Sequence, residues 1–386
     1  MKPAARLGFQ PPRMQVRLYS RSIARTVRLW VIIGALYLVI CSTLKAESFF
    51  DSRYQYYQEE DDRIRVDSNY SLFSIDLNET TVIDGSFLYS AISGASPTGL
   101  PPLVKGDPVP SVYLEDERYA FTLGLGRQIG SHAVKAGFAY STESDYTSFG
   151  YSLQDTISFN HKNTELVLGF AFTDDTVGAN GTSLDALKRS YDAIVGVNQV
   201  LSRNDLVSLN IGLGWKQGFL SDPYKRVLIN EFYVFNEKRP DQKFEQLLFL
   251  QWTHYFSMLN TSMETSYRFG HNDYGSISHT AQVAFYKRFF GGRLTLRPSF
   301  RYYRQSKADF YDTEFTGHPD YYSSDYRVSA EETFNLGVQA RLYIVKEKLA
   351  VDAGYERYIT RGLDDRTSQS AYPDAHSFTV GLHFQF

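Results

Sequence analysis

Cysteine is nearly absent. The single one, Cys41, falls in the amino-terminal stretch that secretion would remove. A mature chain without thiols forms no disulfide, no thiolate metal site and no cysteine-linked haem. Long apolar runs are equally scarce: beyond Leu29 to Leu44 there is no stretch of about 18 apolar residues, which excludes a helical membrane protein. Familiar catalytic signatures are missing as well, with no Gly-x-Ser-x-Gly, no His-Glu-x-x-His and no phosphate loop. The eight histidines are scattered, His132 and His383 toward one end of the expected fold and His271, His318 and His376 in loops at the other. An enzyme is therefore not expected, and no catalytic residue, cofactor or metal site is assigned.

What is present begins with charge of one sign. Arg6, Arg13, Arg17, Arg21, Arg25 and Arg28 precede the apolar run, and Ala46 follows it. Basic stretch, apolar core and small residue together read as a secretion signal over residues 1–46, cleaved before Glu47, although Leu44 fits the cleavage pattern poorly. Met14 is an alternative start. The competing reading is a retained anchor, against which the residues after Ala46 turn polar and strand-like at once. Leu38-Val39-Ile40-Cys41 lacks the small residue that lipoprotein processing needs before cysteine. Removing the segment takes away eight basic and no acidic residues, leaving 32 basic against 43 acidic. Nucleic acid is not an expected partner of so acidic a chain.

The carboxyl end carries the clearest strand. Phe378, Val380, Leu382, Phe384 and Phe386 alternate with Ser377, Thr379, Gly381, His383 and Gln385, so one face is apolar and the other wet. An ending in Phe on the apolar face resembles the terminal assembly signal of outer-membrane barrels, carried here by Phe378, Phe384 and Phe386. From Glu47 onward, alternating segments of about ten residues recur, joined in turn by a short connection and a longer one. About sixteen are expected, and 29 Tyr with 28 Phe suit aromatic girdles at both membrane interfaces. The pattern predicts an all-β fold, a transmembrane antiparallel up-and-down barrel over residues 47–386. Expected partners are outer-membrane lipid and the barrel assembly machinery. Two soluble sandwiches would also alternate, but they give no reason for the signal, the terminal Phe and the short-long order to occur together.

Three loop stretches are distinctive: Ala91-Ile92-Ser93-Gly94-Ala95-Ser96-Pro97-Thr98-Gly99, Ser221-Asp222-Pro223-Tyr224-Lys225, and Asn236-Glu237-Lys238-Arg239-Pro240. On these the chain resembles an uncharacterised bacterial outer-membrane β-barrel family, domain of unknown function 3570. The resemblance carries over no substrate and no catalytic residue. Its members are often encoded beside a small lipoprotein and a flavin transferase, which implies a periplasmic lipoprotein or redox protein as a further partner.

A barrel of about sixteen strands is too wide for side chains to fill, so an aqueous lumen is expected. On the strand near Leu294 to Arg304, alternation puts Arg293, Arg297 and Arg301 inside, at every second inward position, with inward positions about 7 Å apart and the arginines therefore about 13 Å apart. Arg341 on the neighbouring strand would join them. Such a ladder suits anions; alternatively, the arginines pair with lumenal acids such as Asp352 and Glu356 and stiffen the wall. In the long connection Gln217 to Gln242, Asp222, Tyr224, Lys225 and Arg239 are candidates for a constriction folded into the mouth. Asp-Pro is also simply a turn former. The tip Glu59-Glu60-Asp61-Asp62 could hold a divalent cation or be a solvated hairpin end. The expected function is a pore or export/uptake channel for a small solute, with a non-conducting scaffold as the alternative.

Overall fold

The structure is a computed structural model that describes residues 48–104, 107–317 and 319–386. The signal segment, Cys41, Met14 and His318 lie outside the described residues. The chain first runs through nine strands: β1 (Phe49–Glu59), β2 (Arg65–Asn78), β3 (Thr81–Pro97), β4 (Ser111–Ile129), β5 (His132–Thr142), β6 (Tyr146–Phe159), β7 (Thr164–Gly178), β8 (Asp185–Val200) and β9 (Asp205–Gly218). A small hairpin follows, β10 (Arg226–Ile229) and β11 (Tyr233–Asn236). Seven more strands complete the set: β12 (Gln242–Phe256), β13 (Thr261–Asn272), β14 (Ile277–Phe289), β15 (Leu294–Gln305), β16 (Glu331–Val345), β17 (Leu349–Gly362) and β18 (Ala375–Gln385).

All except the hairpin form one closed antiparallel barrel of sixteen strands, in which β12 pairs with β9 and β18 closes onto β1. The closing register runs from Phe49 opposite Gln385 to Glu59 opposite Ala375, so the first and last strands meet along their whole length. Closure leaves no unpaired edge, the condition a sheet must meet in hydrocarbon. No helix among the described residues is long and apolar enough to cross a membrane.

Period-two alternation decides which residue faces what. On β9, Leu209, Ile211, Leu213 and Trp215 are exposed on the outer surface, while Gly214 and Lys216 stand on the inner face beside Glu245 and Lys243 of β12. Exposed apolar side chains in this number are what a bilayer covers. Aromatic pairs tie neighbouring strands together on the same surface. Phe172, Tyr191 and Trp215 step across three strands with centroids 5.0 and 5.7 Å apart, and Tyr89 with Tyr119 and Tyr140 with Phe149 repeat the contact at 5.1 Å.

The strands are longer than periodicity suggests. β3 and β4 stay paired up to Pro97 opposite Ser111 and leave only 98–110 between them, so Ser93 to Pro97 is ladder despite its loop-like composition. Likewise β7 and β8 pair to Gly178 opposite Asp185 and leave only 179–184 between them. Backbone hydrogen bonding carries these pairs through Gly, Ser and Asp, which have little strand preference of their own. Strict short-long alternation also fails twice, at the brief connections 143–145 and 273–276 of the long-loop end. His271 and His376, expected in loops, lie in β13 and β18.

Candidate functional site

Two cavities within the barrel, among the described residues, bear on the candidates. The larger, about 1550 Å³, is lined in part by Asn260, Gly291, Gly292, Lys346 and Glu347. These belong to three short turns, so the cavity sits at the short-turn end. Gly291 and Gly292 make one of those turns at φ 64° and 89°, backbone that glycine adopts without strain. The smaller cavity, about 680 Å³, is lined by Lys135, Asp192, Glu245, Arg268, Arg301 and Tyr303 among others.

The structure separates the four ladder candidates. Arg297 lines the larger cavity and Arg301 the smaller, both from the inner face of β15. Arg341 lines the larger cavity from β16 and grips Asp352 through two hydrogen bonds of 2.7 Å, from Nε and Nη2. Arg293 leaves the ladder. It ends the turn after β14 at φ −67°, ψ −35°, where period-two alternation no longer applies.

Of the lumenal acids, Asp352 is paired as described. Glu356 instead accepts from the Tyr358 hydroxyl at 2.5 Å and from Asn335 at 3.3 Å. Arg297 donates from Nε to the Tyr286 hydroxyl at 2.9 Å. Arg53, 3.6 Å from both Asp51 and Asp352, extends the charged wall to the closing strands, where His383 meets Asp51 at 2.5 Å.

At the opposite end, long loops meet across the mouth. Loops 98–110, 219–241 and 306–330 rise from β3, β9 and β15, which are well separated around the wall, so contacts among them must span the opening. The β10–β11 hairpin supplies the apolar part. Val227 and Ile229 are fully buried against Tyr322, Phe235 and Phe315, with Tyr322 and Phe315 contributed by loop 306–330.

Polar contacts do the rest. Arg239 bonds Glu237 at 2.9 Å and Asp325 at 2.8 Å. Arg327 grips the same Asp325 at 2.8 and 3.0 Å and also pairs with Asp222. Glu237 accepts from the Asp222 backbone N–H at 2.6 Å and from the Ser323 hydroxyl. Burial alone would push the Asp325 carboxyl up, but Arg327, Lys225 and Arg239 together hold it down at about 2. Glu237 goes the other way, because its burial outweighs Arg239. The Lys225 ammonium, buried and bonded to the Pro97 carbonyl, is pushed down by loss of water. Tyr224 donates to Asp145 and accepts from the Asn180 N–H at 2.9 Å, reaching a third sector of the rim, and burial pushes its hydroxyl up to about 12.

The structure thus brings Asp222, Tyr224, Lys225 and Arg239 into one lid, together with residues from all three distinctive loop stretches. Gly99 shows how tightly they fit: its φ is +96°, and a Cβ there would lie 2.7 Å from the Arg226 carbonyl oxygen. Sequence reasoning missed Ser323, Asp325 and Arg327. Their loop reads only as polar and Tyr-rich, and nothing local marks Asp325 as buried. The acidic tip is not a free cluster: Glu59 is buried against Arg63 at 3.1 Å and Glu60 pairs with Arg357 at 2.6 Å. Asp61 and Asp62 turn the chain at φ 58° and 54°. On the closing strand Phe378 is exposed on the outer face and Phe384 shares that face, with Phe386 following the strand.

A family model described as protein of unknown function (DUF3570) matches residues 39–189 and 182–372. No curated protein matches the sequence. Among solved structures, CdiB from Acinetobacter baumannii is similar with TM-score 0.50 at 9% identity, over 88% of this chain and 60% of that one. A bacterial polysaccharide outer membrane secretin is similar with TM-score 0.48 at 10% identity, over 88% and 98% of the two chains. OmpT, an outer membrane protein of Vibrio cholerae, gives 0.45 at 8%, over 88% and 98%. The chain spans about 60% of CdiB's length, and at such identity the likeness concerns the fold alone.

Proposed function

Starting from a chain that belongs to the family described as protein of unknown function (DUF3570) and folds as an outer-membrane β-barrel, we propose a gated pore for a small solute. The carrying observation is a large inner cavity at the short-turn end beneath a lid held at the other end by loop contacts. In outer-membrane barrels short turns face the periplasm and long loops face outside. The cavity is then a periplasmic vestibule and the lid an outer gate. Outer-membrane lipid covers the apolar outer face, and the assembly machinery reads the closing strand.

The lid itself favours a second reading, a non-conducting scaffold that holds a periplasmic lipoprotein or redox protein at its vestibule end. Recording in planar bilayers separates the two. Wild-type protein is expected to conduct in brief openings, and a variant with 226–236 replaced by a short Gly-Ser linker is expected to stay open. Insertion without conductance in both proteins would end the pore reading and leave the scaffold.

A further inference from the structure

We propose that the periplasmic vestibule holds a binding site for a small oxyanion, the phosphate or carboxylate head of a solute, centred on Arg288 and Arg297. The proposal rests on the reading of the lumen as a solute path and names the class of solute that path would take.

The charge balance of the larger cavity comes first. Its basic side chains are Arg53, Arg288, Arg297, Arg341 and Lys346. Its acidic ones are Glu347, Asp352 and Glu356. Each acid is already engaged: Asp352 by Arg341, Glu347 by Lys346 at 3.6 Å, and Glu356 by Tyr358 and Asn335. Two guanidiniums remain without a carboxylate in a chain whose formal charge is negative. The Arg288 guanidinium makes no hydrogen bond or ion pair among the described residues, its backbone being held in the β14–β15 ladder. Arg297 spends only its Nε, on the Tyr286 hydroxyl, with its guanidinium carbon 5.2 Å from the centre of that ring.

The placement of these two residues is the second argument. Arg288 stands directly opposite Thr295, and Thr295 directly opposite Arg341. Arg297 lies one inward position along the same strand, opposite Gln339. Cross-strand neighbours are about 5 Å apart and alternate residues about 7 Å apart. Side chains as long as arginine can therefore converge from Arg288 and Arg297 on one oxyanion. Tyr286 fixes the ring side of Arg297 and leaves its Nη1 and Nη2 for a ligand, the forked geometry that suits phosphate and carboxylate. At about 1550 Å³ the cavity leaves room beside the two guanidiniums for the rest of a molecule that carries the oxyanion.

The test is equilibrium dialysis of the folded, detergent-solubilised barrel against labelled inorganic phosphate and, separately, labelled succinate, at constant ionic strength in chloride. Saturable binding of at least one probe is expected, weakened about tenfold by Arg288→Gln and again by Arg297→Gln, as loss of one charge-assisted contact implies. Arg304→Gln, on the same strand but the opposite face, should leave binding unchanged. Arg288 has no partner to lose, so its variant tests the site even if Arg297→Gln fails to fold by unboiled gel mobility. No saturable binding of either probe, or equal binding by wild type and Arg288→Gln, overturns the proposal. Binding without conductance keeps the site and ends the pore reading; conductance without binding does the reverse.

Discussion

Asp325 shows how much one carboxylate holds when it is taken out of water. It is 1% exposed and shared by two arginines from different parts of the lid. Breaking a buried pair from one side typically costs about 3–5 kcal/mol, because the remaining charges stay desolvated. Asp325→Asn should therefore loosen the lid while the wall stays intact. Proteolysis of whole cells should cut the variant within 219–241 or 306–330, and unboiled gel mobility should match wild type. The pH response has a definite sign. The folded-state value of about 2 lies below the ordinary 3.8, so Asp325 contributes its full stabilisation above 3.8 and loses it as pH falls through about 2. Glu237 acts oppositely: its raised value favours the closed lid at low pH and weakens it as pH rises through that value. Acid opening below 3.8 is thus expected to come from Asp325 and to be absent in Asp325→Asn, as read by proteolysis across that range.

Among the elements, the β10–β11 hairpin is the least legible in the sequence and the most important to the lid. Each of its strands has four residues, too few for a periodic signal, and the partners of Val227 and Ile229 lie in loop 306–330. Ile229→Ala should cost about 2–5 kcal/mol, the usual range for a truncated buried Ile, expressed as protease sensitivity of the lid with unchanged barrel mobility. The closing strand is the reverse case. Its alternation is plain from Phe378 to Phe386, and in the barrel it pairs with β1 and β17. Deleting Phe386 is expected to lower the amount of inserted barrel, measured in outer-membrane fractions; normal amounts would remove the terminal residue from any role in assembly.

At the scale of the whole molecule, an acidic chain surrounds a lumen in which several arginines line the wall. If ions pass, those charges act at short range despite salt screening. Replacing Arg297 and Arg301 by Gln should shift the reversal potential under a salt gradient toward cation selectivity. An unchanged potential in a conducting variant would leave these arginines as wall structure. Arg341 serves as the internal contrast: with its charge held by Asp352, Arg341→Gln should move selectivity less and stability more.

Local pattern by itself determined the barrel. Alternation at period two needs only neighbouring residues to specify which face is apolar, and recurring turns set the strand number, so sixteen strands and the inward positions of Arg297, Arg301 and Arg341 were readable in advance. Arg293 escaped that logic because a turn breaks the period one residue before the strand begins. Only the tertiary structure decided which charges meet. Arg341 with Asp352 follows from strand register, and Arg239 and Arg327 reach Asp325 only after the loops of β9 and β15 have crossed the mouth. Burial is a property of that meeting, since nothing local to Glu237 or Asp325 distinguishes a buried charge from a solvated one until the two loops pack together.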